Sequence, residues 1–281
     1  MPKAKAPTPK KTQAKLLYEC GPNWHYAVGE PISDPALWYQ SPKGVTHAIV
    51  NDLEYDHLLG HCTVQKLHRF AEAKKGLKGE PLTLPNMVNW LMSLEKNAPE
   101  ILEVPRDFPA ALYEAFKKAK LPIQVAESEL FFPSRAIKTA EEVKKLREAQ
   151  ALNERVIAHA RTILVEAKIG QANTLYWQGK VLTSEILRGE MNALAARLGS
   201  TEFGNGPIVA CGKQGATPHH RGSGPLKAHE LIVIDCFPRH RNGYWGDCTR
   251  TYLKGTPKPW QTKLVLTVLE AQNLALKLIK A

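Results

Sequence analysis

Two acids carry the clearest chemical signal in this 281-residue sequence. Asp235 lies in the apolar run Leu231-Ile232-Val233-Ile234-Asp235, and Asp247 follows Tyr244-Trp245-Gly246, on the other side of Arg241-Asn242-Gly243. Asn-Gly between two apolar runs signals a hairpin turn, so 231–252 reads as two strands with one carboxylate inside each. Dehydrating a carboxylate in a strand is costly unless a cation or hydrogen-bond donors offset it. The acids stand twelve positions apart (235 to 247) with the turn near their midpoint, so the hairpin is expected to set them side by side across the ladder. Adjacent carboxylates repel, and either protonation of one or a divalent cation between them relieves this. The plainer alternative is a pair of surface or salt-bridged acids. An oxygen-rich donor set suits Mn, Mg or Co, and with added histidine Zn or Fe.

Strand alternation places Cys236 and Cys248 on the face opposite the acids, as small core residues rather than members of a mixed Cys/Asp site. The five cysteines (20, 62, 211, 236 and 248) are odd in number and contain no CxxC pair, so neither a disulfide framework nor a zinc ribbon is indicated. His219 and His220 stand in the Gly-rich loop 212–224, where a histidine is ordinarily an exposed polar residue. Gly212-Lys213 lacks the rest of a phosphate-binding loop. His229 and His240 read as surface residues near the hairpin ends.

The elements that must position these residues follow from periodicity. The net charge of +11 includes five lysines in the first fifteen residues, a stretch without acids, so 1–14 reads as a basic disordered tail and the body as about +6. That distribution gives no basic patch for nucleic acid. No run approaches the ~20 apolar residues of a membrane span, and no apolar signal region opens the chain; a soluble cytoplasmic protein with no membrane partner is expected. Residues 15–40 read as short strands and turns, 46–50 as a strand, 63–75, 84–97 and 109–120 as helices, and 121–126 as a closing strand. Together 15–132 form an α/β domain. A linker at 133–138 leads to Thr139, whose hydroxyl and the acids Glu141 and Glu142 start a helix to about Lys168. A second helix is expected over 175–198, a strand over 207–211, and a terminal helix over 259–280 with Leu264, Val268, Ala271 and Ala275 on one face.

The order of Gly215-Ala216-Thr217-Pro218-His219-His220, Pro225-Leu226-Lys227, Ile234-Asp235, Asn242-Gly243-Tyr244 and Asp247-Cys248-Thr249-Arg250-Thr251 resembles the M24 metallopeptidases, which include Xaa-Pro aminopeptidases, prolidases, methionine aminopeptidases and creatinase. The resemblance extends from Ala14 to the end. It implies a creatinase-type N-terminal α/β domain followed by an α+β "pita-bread" catalytic domain in 139–281, of which only the N-terminal half is present. It also implies two divalent ions (Mn, Co or Zn) on five ligands, and hydrolysis of an N-terminal peptide bond by a dinuclear-metal-bound hydroxide. Asp235 and Asp247 match the first two ligands, His219 a substrate-contacting residue that stabilises the oxyanion, and Thr249 a hydrogen-bond partner of a ligand carboxylate. The implied partner is a peptide substrate, with a homodimer left open.

Two departures bear on activity. The acids stand one position further apart than is usual for the family. No histidine follows His240, and Glu270 is the only acid after Asp247, so the implied His, Glu and Glu ligands have no counterpart here. The metal is therefore expected to be weakly bound or absent and the peptidase impaired. The alternatives are a non-catalytic M24-like module that binds peptide or protein, and a truncated gene product.

Overall fold

The computed structural model describes residues 12–280 apart from positions 97, 203 and 205. Residues 1–11 of the expected basic tail lie outside that range. Two compact units are present, Met1–Lys138 and Thr139–Ala281.

The first unit is a six-stranded mixed sheet with helices on both faces. Its elements are β1 (Gln13–Glu19), α1 (Pro22–Val28), β2 (Ala36–Gln40), β3 (Thr46–Val50), α2 (Asp52–Leu58), β4 (Lys66–Arg69), α3 (Phe70–Gly76), α4 (Leu84–Glu95), β5 (Ile101–Val104), α5 (Ala110–Lys118) and β6 (Ile123–Val125). The strand order is β4-β3-β2-β1-β5-β6. Alternate residues of each strand feed two separate cores: Leu16, Leu37, Tyr39 and Ile49 on one face, Leu17, Trp38, Ala48 and Val50 on the other. Burial on both faces is what makes β2 and β3 read as nearly unbroken apolar runs.

Three expectations change here. Positions 13 and 14 belong to β1, with Ala14 buried, rather than to the tail. The stretch around Pro22 is helical, because proline at the first helical position starts a helix that Gly29, in the left-handed region, then stops. Segment 63–75 begins as the edge strand β4, which pairs in parallel with β3, before turning into α3.

In the second unit, α6 (Ala140–Glu166) is followed by β7 (Lys168–Ile169), β8 (Leu175–Trp177), β9 (Lys180–Val181), α7 (Ser184–Arg197), β10 (Ser200–Glu202), β11 (Ile208–Cys211), β12 (Leu231–Cys236), β13 (Arg239–His240), β14 (Cys248–Leu253) and α8 (Pro259–Leu278). A capping box between Thr139 and Glu142 fixes the start of α6. The expected helix at 175–198 begins only at Ser184. Residues 175–181 form a hairpin whose turn, Gln178-Gly179, has two left-handed residues (φ 51° and 76°), and Thr183 caps the helix that follows. The sheet β11-β12-β14 lays Ile232, Ile234 and Cys236 on Val156, Ile157 and Ala160 of α6 and on Leu187 and Met191 of α7. Along α8 only Gln261 is buried among the described residues; Leu264 and Val268, expected on one face of the helix, are 49% and 61% exposed. No helix among the described residues is long and apolar enough to cross a membrane.

A buried polar chain crosses the first unit. The His47 imidazole is fully buried, with Nε2 3.0 Å from Glu95 Oε1 and Nδ1 3.1 Å from His68 Nε2. Burial lowers both imidazole pKa values below the ordinary 6.5, while the Lys66 ammonium, together with His47, holds the Glu95 carboxyl below its ordinary value. A histidine with a lowered folded pKa binds fewer protons when folded, so its stabilising effect is complete above about pH 6.5 and is lost as the pH falls. The glutamate adds a loss of the same sign at lower pH. Urea unfolding of this unit should therefore show a lower midpoint at pH 5.5 than at 7.5, and His47→Gln should flatten the upper part of that dependence.

Candidate functional site

The acid-bearing hairpin turns at Arg241-Asn242-Gly243. Gly243 adopts φ 87°, its N–H donates to His240 O at 2.8 Å, and His240 N–H donates to Tyr244 O at 2.8 Å. Asn242 Oδ1 accepts from Tyr244 N–H, and His240 Nδ1 accepts from Asn242 N–H. This is the chemistry of a three-residue hairpin loop ending in a left-handed glycine. His240 is thus half-buried and part of the turn rather than a free surface residue. His229 is also half-buried. Its Nδ1 accepts from Thr256 N–H at 2.9 Å and its carbonyl from the buried Gln261, which ties the start of α8 to β12.

The register differs from the expectation in one respect. The turn centres on Asn242, one position beyond the midpoint of the two acids, so Asp235 faces Thr249, and Cys236 faces Cys248. Asp247 lies two residues before Thr249, just outside β14. Asp235 is half-buried and Asp247 exposed, so two acids buried within strands are not what the fold contains. Thr249 Oγ1 donates to Asp235 Oδ1 at 2.6 Å, which fixes one carboxylate oxygen. Cys236 and Cys248 point into the core, and burial pushes the Cys236 thiol up to about 12.

His219 is exposed, with φ 62°, on a loop stitched at its base. Arg188 Nη1 donates to the carbonyls of Arg221 (2.6 Å) and Gly222 (2.8 Å), and the Gln214 side chain pairs with Ser223. A Cβ on Gly222 would lie 1.6 Å from Val209 O, so only glycine lets this loop approach β11. His220 Nδ1 accepts from Gly222 N–H, which is a local structural use. No hydrogen bond or ion pair among the described residues joins His219 to Asp235, Asp247 or Thr249. A groove of 740 Å³ runs beside the acid-bearing face, lined by Val233 and Thr251 from that face and by Trp260, Leu264 and Val268 of α8.

Helix α6 fastens the hairpin from behind through groups that sequence reasoning missed. Asn153, fully buried, donates from Nδ2 to Cys236 O at 2.8 Å. Asn242 Nδ2 donates to Lys145 O and Glu148 Oε2, each at 3.0 Å, and Tyr244 OH to Glu142 Oε1 at 3.1 Å. Gln150 Oε1 accepts the backbone N–H of Asp247 at 3.2 Å. The signal available in the sequence was a polar Asn153 set among the apolar positions 149, 152, 156 and 160.

The sequence profile of metallopeptidase family M24 matches residues 144–281. Residues 144–281 belong to metallopeptidase family M24. Over 144 residues, 48% of this chain, the sequence is 32% identical to a protein of Mycoplasma genitalium assigned as an Xaa-Pro aminopeptidase, and it spans 37% of that relative's length. In fold, the chain is similar to the prolidase from Pyrococcus furiosus, with a TM-score of 0.72 and 19% identity over 92% of this chain and 67% of that one. It is likewise similar to the X-Pro aminopeptidase from Thermotoga maritima, with a TM-score of 0.76 and 18% identity over 96% of this chain and 70% of that one. The mixed α/β architecture is thus shared with these proteins.

Asp235 and Asp247 carry carboxylate oxygens, the donor type that a hard divalent cation takes. They suit such an ion in kind. Among the described residues no group of three or more His, Cys, Asp or Glu side chains is placed to hold one. The geometry behind the pair yields a stability prediction. Asn153→Asp turns a donor into a buried carboxylate facing Cys236 O, and urea unfolding at pH 7 should show a loss of about 3 kcal/mol or more. Lowering the pH should recover part of that loss, because a protonated carboxyl donates again.

Proposed function

We propose that Asp235 and Asp247 are the first two carboxylate donors of an M24 metal centre, and that the reaction served is hydrolysis of an N-terminal peptide bond, as in Xaa-Pro aminopeptidases or dipeptidases. In this reading residues 15–132 are a creatinase-type N-terminal domain and 139–281 the N-terminal half of the pita-bread catalytic domain. The observation that carries it is the pairing of Asp235 with Thr249 across β12 and β14, with Asp247 exposed just before β14 and the neighbouring cysteines turned into the core.

The donors would take Mn, Co or Zn. A divalent ion held there supplies Lewis-acid polarisation of the scissile carbonyl and a nucleophile at neutral pH. This chain's own contributions are separate. Thr249 orients Asp235 by occupying one of its oxygens, α6 holds the segment that bears Asp247, and His219, on its anchored loop, donates to the substrate carbonyl as charge develops there. The groove lined by Val233 and Thr251 of this sheet and by Trp260, Leu264 and Val268 of α8 favours a second reading, in which the domain binds a peptide without turnover.

Two carboxylates hold a divalent ion far less firmly than a full set of ligands. The purified 281-residue chain should therefore retain well under one ion after dialysis, bind added Mn²⁺ only weakly, and cleave Xaa-Pro peptides at background rate. Calorimetric Mn²⁺ titration should lose its weak isotherm in Asp235→Asn, and an unchanged isotherm would remove the donor assignment. Stoichiometric metal with turnover abolished by Asp247→Asn would instead establish a complete peptidase. Peptide binding that persists in EDTA with no turnover in excess Mn²⁺ supports the second reading.

A further inference from the structure

The two acids are held by different parts of the fold. Asp235 sits inside β12, between β11 and β14, and also accepts from Thr249. Asp247 precedes β14 and lies outside the paired register. The last strand-to-strand contacts before it are the bridge between Arg239 and Trp245 and the bond from Gly246 N–H to Pro238 O at 3.0 Å. The N–H of Asp247 is taken up by Gln150 on α6.

The backbone here has little slack. A Cβ on Gly246 would lie 2.6 Å from Ala149 O and 2.8 Å from Asn153 Cβ, so the chain immediately before Asp247 rests directly on the helix. Ala149, Gln150 and Asn153 lie within little more than one turn of α6. That turn packs into the core through Ala149 and Leu152 and lies well inside a 27-residue helix. Gly246 sets how closely the segment approaches α6. A close contact does not fix rotation about the backbone, whereas a directional bond to the next N–H does.

We propose that Gln150 is a positioning residue: by holding the N–H of Asp247 it fixes the aim of the Asp247 carboxylate toward the cation shared with Asp235. The proposal rests on reading the two acids as donors. Gln150 lies at the solvent-facing edge of α6, and an exposed hydrogen bond of this kind adds little to stability. Its loss therefore appears in the geometry of the pair rather than in the fold. A donor free to rotate must be ordered again by the ion, which weakens binding.

The test uses the full ¹⁵N-labelled chain titrated with Mn²⁺, reading paramagnetic broadening of the backbone amide resonances of Asp235, Asp247 and Thr249. In the parent chain the three should broaden together. Gln150→Met keeps the length and helix propensity of the side chain but removes the acceptor. It is expected to raise the Mn²⁺ midpoint by about threefold or more, speed hydrogen exchange at the Asp247 amide, and leave the thermal midpoint and the Asp235 amide shift in metal-free protein unchanged. A purely structural role would move the thermal midpoint and not the Mn²⁺ midpoint. An unchanged Mn²⁺ midpoint in Gln150→Met, with broadening abolished in Asp235→Asn/Asp247→Asn, overturns the positioning role and leaves the donor reading standing. Broadening that persists in the double variant, or none in the parent chain, removes the donor reading and the proposal with it.

Discussion

The acid-bearing hairpin depends on its attachment to α6. A sheet face that carries two carboxylates cannot be anchored by burying that face, so the hairpin is fixed from the other side. Ile232, Ile234, Cys236 and Cys248 enter the core of the second unit, and side-chain amides do what apolar packing cannot. Asn153 holds the carbonyl next to Asp235, Gln150 the N–H of Asp247, and Asn242 the tip of the turn. Amides suit this role because each couples a directional donor or acceptor to a neutral side chain. They therefore add no charge beside the acids.

The segregation of the two faces gives the cysteines and the acids opposite chemistry despite their adjacency in sequence. Asp235 and Cys236 are neighbours, as are Asp247 and Cys248, yet each thiol is buried and each carboxylate has access to water. Burial raises the Cys236 thiol far above neutrality, which makes it a poor nucleophile. The exposed face thus offers carboxylate oxygens and the buried face thiols.

Much of the secondary structure was legible because local chemistry agrees with tertiary context. Thr139 and Glu142 form a capping box, and α6 runs as its apolar spacing indicates; Gly243 marks the hairpin turn; Pro259 opens the terminal helix. Local pattern and structure part where a local signal has two meanings. Pro22 reads as a breaker but opens α1, and the apolar residues at 175–181 fit a helix face until Gln178-Gly179 folds them into a hairpin. Segment 66–69 is a strand only because β3 offers it an edge.

The sequence by itself determined the residue types at the site, the strand alternation that separates the acids from the cysteines, and the turn that brings 235 and 247 to one end of a hairpin. These are properties of short stretches of chain, in which bond geometry and side-chain size act over a few residues. The tertiary structure alone decided the pairing and the exposure. Thr249 rather than Asp247 stands opposite Asp235, because the turn closes around Asn242, and Asn242 is itself fastened to Lys145 and Glu148, nearly one hundred positions away in the chain. Bonds over such separations form only once α6 and the sheet are packed together, and no local pattern encodes them.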